Sequence, residues 1–102
     1  MPRNLGFRVF IDANAAQTFA DAINRAHVAE HGEQETYAEM SRGSVVRRYV
    51  APRKPLVSVM ASPDGDAWAV KVPTLAEGYR DGGRPLDLTT GRVARPEWLD
   101  ND

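Results

Sequence analysis

The chain contains no cysteine. That excludes disulfides and thiolate metal sites, and with them the covalent staples on which many small secreted domains depend. Histidine is nearly absent too: His27 and His31 are the two present in 102 residues. There are four serines and no G-x-S-x-G elbow, so the geometry of nucleophilic hydrolysis has little to draw on. No apolar run approaches the roughly eighteen residues that a membrane span needs. Met1-Pro2-Arg3-Asn4 has no apolar stretch behind it, so the expectation is a cytoplasmic chain without a secretory signal. The net charge of −1 argues against a general polyanion binder.

What is present is an ordinary globular balance, 42% hydrophobic and 26% charged, in a chain long enough for one modest core. Eleven of the thirteen basic residues are Arg, and fourteen Ala stand against two Ile. GC-rich codons produce that bias, which fits a genome of actinobacterial type or a phage infecting such a host. The charge is uneven. Residues 1–55 hold eight basic and six acidic side chains, residues 56–102 five and eight.

Residues 5–11 are aromatic and β-branched and predict a strand. Leu5, Phe7, Val9 and Ile11 share one face; Gly6, Arg8 and Phe10 share the other. Phe10 makes the second face apolar as well, so the strand should be central or covered on both sides. A helix follows from about Ala15 to Glu30; Asp12-Ala13-Asn14 supplies its N-cap candidates, and with Asn14 as the cap Gln17 falls at N3 in a capping-box arrangement. Ala16, Phe19, Ala20, Ile23 and His27 form its apolar face, and Ala15, Ala22, Ala26 and Ala29 a second stripe. Gly32 ends it.

Residues 33–42 suggest a short helix carrying Tyr37 and Met40, closed by Gly43. Residues 44–51 and 56–61 predict strands. Ser62-Pro63-Asp64-Gly65-Asp66 is a strong turn signal, and residues 67–72 return as the second strand of a hairpin, with Trp68, Val70 and Val72 on one face. The expected fold is two-layer α+β: one main helix on a largely antiparallel four-stranded sheet, in the order β-α-β-β-β, over residues 1–72.

Residues 73–102 read differently. Glycines and prolines break any regular element, yet Leu75, Tyr79, Leu86, Leu88, Val93, Trp98 and Leu99 recur at wide intervals. A disordered tail should be poor in such side chains. The pattern predicts an extended C-terminal arm docked on the core or on a partner, with a small hairpin about Thr90-Gly91. Tyr79, Leu86, Leu88, Trp98 and Leu99 are its candidate partner-binding anchors.

Candidate chemistry is thin. His27 and His31 are four apart on one helix face, with Glu30, Glu33 and Glu35 nearby, but a transition-metal site needs about three well-placed ligands. Asp64-Gly65-Asp66 lacks the downstream ligands of a calcium loop, and turn chemistry accounts for both carboxylates. No metal, cofactor or catalytic residue is expected. A small ribonuclease could use His27 or His31 as base with Arg47 or Arg48 on the phosphate. Arg42, Arg47, Arg48, Arg53 and Lys54, with Tyr49 interleaved, could track a nucleic-acid backbone. On a strand, though, Arg47 and Arg48 face opposite ways. Were the segment helical, Met40-Ser41-Arg42-Gly43-Ser44-Val45-Val46-Arg47 resembles the second-helix opening of ribbon-helix-helix repressors, over about half the chain. That resemblance implies a DNA-binding regulator. The leading expectation is a non-enzymatic assembly or interaction protein, phage-encoded or virion-associated, that self-associates or docks on a larger protein.

Overall fold

The structure, a computed structural model, describes residues 4–94 and 96–99, without the side chains of Asn4, Leu5 and Leu99. The fold is α+β, as the pattern predicts. Strand β1 (Asn4–Phe10) leads into helix α1 (Ala13–His31), and a hairpin of β2 (Gln34–Ser41) and β3 (Ser44–Pro52) follows. Then come β4 (Val59–Ala61) and β5 (Trp68–Pro73), a 3-10 turn (Thr74–Gly78), and the two-residue strands β6 (Arg80–Asp81), β7 (Arg84–Pro85) and β8 (Arg92–Val93). A last 3-10 turn spans Glu97–Leu99.

The main sheet has four strands in the order β4-β5-β1-β8, all antiparallel neighbours. Strand β1 is central and covered on both faces, because its side chains alternate between two apolar layers. Phe10 joins Phe19, Ile23, Val70 and Val72 beneath α1. Phe7 and Val9 join Ala69 on the far side, covered by Met60, Ala67, Ala94 and Trp98. Ile11 lies beyond the strand end and is 90% exposed, against the expectation that it would share the face of Val9.

Helix α1 buries Ala16, Phe19, Ala20, Ile23 and Ala26. Of the N-cap candidates it is Asp12 that caps: its carboxylate accepts the Asn14 N–H at 3.0 Å. Gln17 donates instead to Asp21. On the second alanine stripe Ala26 is buried, while Ala15 and Ala29 are exposed. Asn24 presents its side-chain oxygen to the N–H groups of Leu56 and Val57 and donates to the Val57 carbonyl. It thereby satisfies the backbone of the segment that enters β4.

The β4–β5 hairpin turns where expected. Ser62 Oγ donates to Asp66 at 2.8 Å and accepts from the Asp66 and Ala67 N–H groups, and Gly65 takes φ 71°. Three expectations need correction. Residues 34–41 form a strand, not a helix. Strand β3 pairs with β2 and lies outside the main sheet, so the fourth strand of that sheet is β8. No hairpin forms about Thr90-Gly91, since Arg92 and Val93 pair with Val9 and Arg8. The reason is Phe10: its ring lies so close to Gly91 that a Cβ there would fall 2.8 Å from it.

Candidate functional site: a projecting β-ribbon

Strands β2 and β3 form an isolated two-stranded ribbon. Every residue from Ala38 to Val50 is exposed, and only Glu35, Tyr37, Ala51 and Arg53 near the base are half-buried. The ribbon gives the molecule a radius of gyration of 16.0 Å, where a compact chain of this length has about 13 Å. A lone hairpin is marginal in water, because neither face has a core to bury.

Helix and arm meet at the root of the ribbon. Arg53 Nε donates to the Gly32 carbonyl at 2.7 Å, Nη2 to the His31 and Gln34 carbonyls, and Nη1 to Glu35 at 2.9 Å. One guanidinium thus closes the carbonyl end of α1 and ties it to β2. The Tyr79 hydroxyl lies 2.8 Å from His27 Nδ1 and 2.9 Å from His31 Nε2. A phenol has one proton, so it donates to one imidazole and accepts from the other. Burial, then the positive charges of His31 and Arg53, hold His27 below the ordinary imidazole range.

Register separates the two ribbon faces. Tyr37 stands opposite Tyr49 and Glu39 opposite Arg47. That face is internally matched: the tyrosine rings stack at 5.5 Å, Arg47 lies over Tyr49 and reaches Glu39 at 3.1 Å, and Lys54 lies over Tyr37. Tyr37 donates to Glu35, which pulls that carboxyl below its usual range and pushes the phenol up. The other face carries Thr36, Ala38, Met40, Val45, Arg48 and Val50. Val46 is the extra residue of a β-bulge against Met40 and adds to this face. Met40, Val46 and Val50 are 56%, 59% and 59% exposed. Arg48 is the sole charge on this apolar face and, among the described residues, has no ion-pair partner.

At the tip, Arg42 and Gly43 take φ 50° and 80°, the signature of a two-residue type I′ turn. Glycine or asparagine suits such a turn; arginine is strained there. Among the described residues Arg42 is the one non-glycine with positive φ.

The residues singled out from sequence separate accordingly. Tyr79 is 4% exposed within the chain's own core, with Leu86 and Leu88 packed against the same cluster. Trp98 covers the second cluster. These anchors therefore hold the arm to its own domain; the Leu99 side chain lies outside the described residues. Arg53 faces inward at the ribbon root, Arg47 is paired, and Arg42 and Arg48 remain free of acid partners among the described residues. Because Met40 to Arg47 is strand, turn and strand, the helix that underlies the ribbon-helix-helix resemblance is not formed. Arg47 lies five pairs from the ribbon root, about 16 Å at strand rise, so the ribbon carries both Arg47 and Arg48 away from the histidines. Asp64 and Asp66 belong to the β4–β5 turn.

Among the described residues no three His, Cys, Asp or Glu side chains group to hold a metal, and no helix is long and apolar enough to cross a membrane. No family model matches the chain, and no curated protein or solved structure matches it significantly.

Proposed function

We propose that the protein is a non-enzymatic assembly component that self-associates or docks on a larger protein through the β2–β3 ribbon. The observation that carries this reading is the apolar face of Met40, Val45, Val46 and Val50, held out from the body and uncovered by the described residues. A ribbon this exposed gains little from its own fold, so covering that face is the available source of stabilisation. Strain at Arg42 supports it, since a residue kept in an unfavourable turn conformation at a tip points to a use for its side chain. The phage-encoded or virion-associated origin belongs to the same proposal and rests on the small size and the codon-type bias of the chain.

A second reading is DNA binding. Two-stranded ribbons do enter duplex grooves, and Arg42 and Arg48 are free of acid partners among the described residues. It is the weaker reading, because Glu35 and Glu39 sit on the same ribbon and Arg53 is committed to the helix end. Size-exclusion chromatography with light scattering, alone and with duplex DNA, tests both. Expected is a concentration-dependent oligomer of the protein alone, reduced by Val46→Gln, with no salt-sensitive DNA complex. A DNA complex lost on Arg48→Ala, with self-association indifferent to ribbon substitutions, would favour the second reading.

A further inference from the structure

A groove of about 640 Å³ lies beside the N-terminal half of α1. Phe10, Ala15, Phe19 and Leu86 supply apolar walls, and the charged residues lining it are Asp12, Asp81, Arg84 and Asp87, with Asp81 paired to Arg25. Asp12, Asp87 and Arg84 have no ion-pair partner among the described residues. Asp12 accepts from the helix N-terminus, and Asp87 from Thr89, whose hydrogen bonds hold it well ionised. The groove offers apolar surface with two unpaired carboxylates against one unpaired cation, Arg84, and the ribbon offers apolar surface flanked by the unpaired positive charge of Arg42 and Arg48.

These two surfaces occupy opposite ends of α1. The ribbon leaves its C-terminus at Gly32 and the groove flanks its start, about 28 Å away for nineteen residues at helical rise. The ribbon face is exposed along its length, so it does not fill its own groove. A two-fold stacking of ribbon on ribbon is disfavoured by composition. The apolar face carries Arg48 and no acid, so stacking would bury two guanidiniums without a carboxylate between them. The groove of another copy supplies what the ribbon lacks.

We infer that the ribbon of one copy docks, apolar face down, into the α1 groove of a second copy, with Arg42 and Arg48 meeting Asp12 and Asp87. This rests on the ribbon reading above and specifies its partner. Donor and acceptor surfaces differ, so the contact is head to tail and propagates into a ring or a filament.

The test uses two variants of the full chain. Met40→Gln with Val46→Gln removes apolar contact from the ribbon without adding charge. Thr18→Arg places a long cation at an exposed helix position lining the groove. Each variant alone should run as a monomer by light scattering at concentrations where the wild type is oligomeric. Mixed one to one, they should form a species of twice the monomer mass, because the mixture retains one intact ribbon and one intact groove. Circular dichroism melting within a few degrees of wild type establishes that each is folded, and Ala15→Arg serves as a second groove variant. A monomeric wild type, or a Thr18→Arg protein that associates like wild type, overturns the head-to-tail contact. In the latter case the loss of association on Met40→Gln/Val46→Gln would leave the ribbon reading standing with a different partner surface.

Discussion

Arg42 concentrates the tension between folding and use in one residue. A type I′ turn asks for positive φ at both central positions, and an L-residue other than Gly, Asn or Asp meets steric resistance there of about 1–2 kcal/mol. Arg42→Asn should therefore slow hydrogen exchange of ribbon amides several-fold, while weakening assembly because the tip cation is gone. If both quantities move in the same direction, the strain and the charge are not opposed as argued. His27 makes a second residue-scale case. Its imidazole titrates below the ordinary value near 6.5, chiefly through burial, with His31 and Arg53 adding to the effect and Glu35 opposing it. A histidine whose folded value is depressed favours the native state when neutral. Its stabilisation is fully present above the unfolded value and falls away as pH drops through about 6.5 toward the folded value. The melting temperature should decline between pH 7.5 and 5.5, and His27→Gln should flatten that slope. An unchanged slope would assign the acid sensitivity to other groups.

At the scale of elements, what could be read from the residues tracks how strongly each segment is bound to the core. Helix α1 was legible because five of its side chains are buried on one face, which leaves a 3.6-residue rhythm. The β4–β5 hairpin was legible because Val70 and Val72 alternate with Lys71 beside a turn with its own chemistry at Ser62 and Gly65. Strand β2 was not, for a physical reason. Ala38, Glu39 and Met40 are good helix formers, and the strand has no core face to impose a strong two-residue rhythm. Its alternation is present but faint, Glu35, Tyr37 and Glu39 against Thr36, Ala38 and Met40. Strand β8 was hidden otherwise: two residues cannot announce a partner, and Gly91 looked like a turn glycine. Its role is close approach to the Phe10 ring at φ 77°. Gly91→Ala meets both the clash and the unfavourable backbone, and should cost about 1–3 kcal/mol in urea unfolding. A neutral substitution would show that the arm seats on Phe10 more loosely than the geometry states.

For the whole molecule, the apolar anchors noticed in the sequence and the apolar surface left uncovered turn out to be different parts. In the sequence Tyr79, Leu86, Leu88 and Trp98 stand out because they recur in a breaker-rich stretch. Within the chain those side chains complete two internal layers. Pro96 is buried, and Trp98 covers Phe7, Val9 and Ala69 on the sheet face that α1 does not reach. The ribbon is the reverse, rich in exposed side chains and tied to the body mainly at its root. Two deletions should therefore separate stability from assembly. Removing residues 96–102 uncovers the second apolar layer and should lower the melting temperature by several degrees, since about 1 kcal/mol corresponds to roughly 4–8 °C in a domain of this size. Joining Glu35 to Ala51 through Asn-Gly removes the outer ribbon but keeps its root, including Arg53 and its bonds to the helix end. That protein should melt within a few degrees of wild type and remain monomeric at every accessible concentration. The contrast is read by calorimetry for stability and light scattering for mass. Should the shortened ribbon leave the oligomer intact while the arm truncation dissolves it, assembly belongs to the arm, and the exposed face of Met40, Val46 and Val50 would need another explanation.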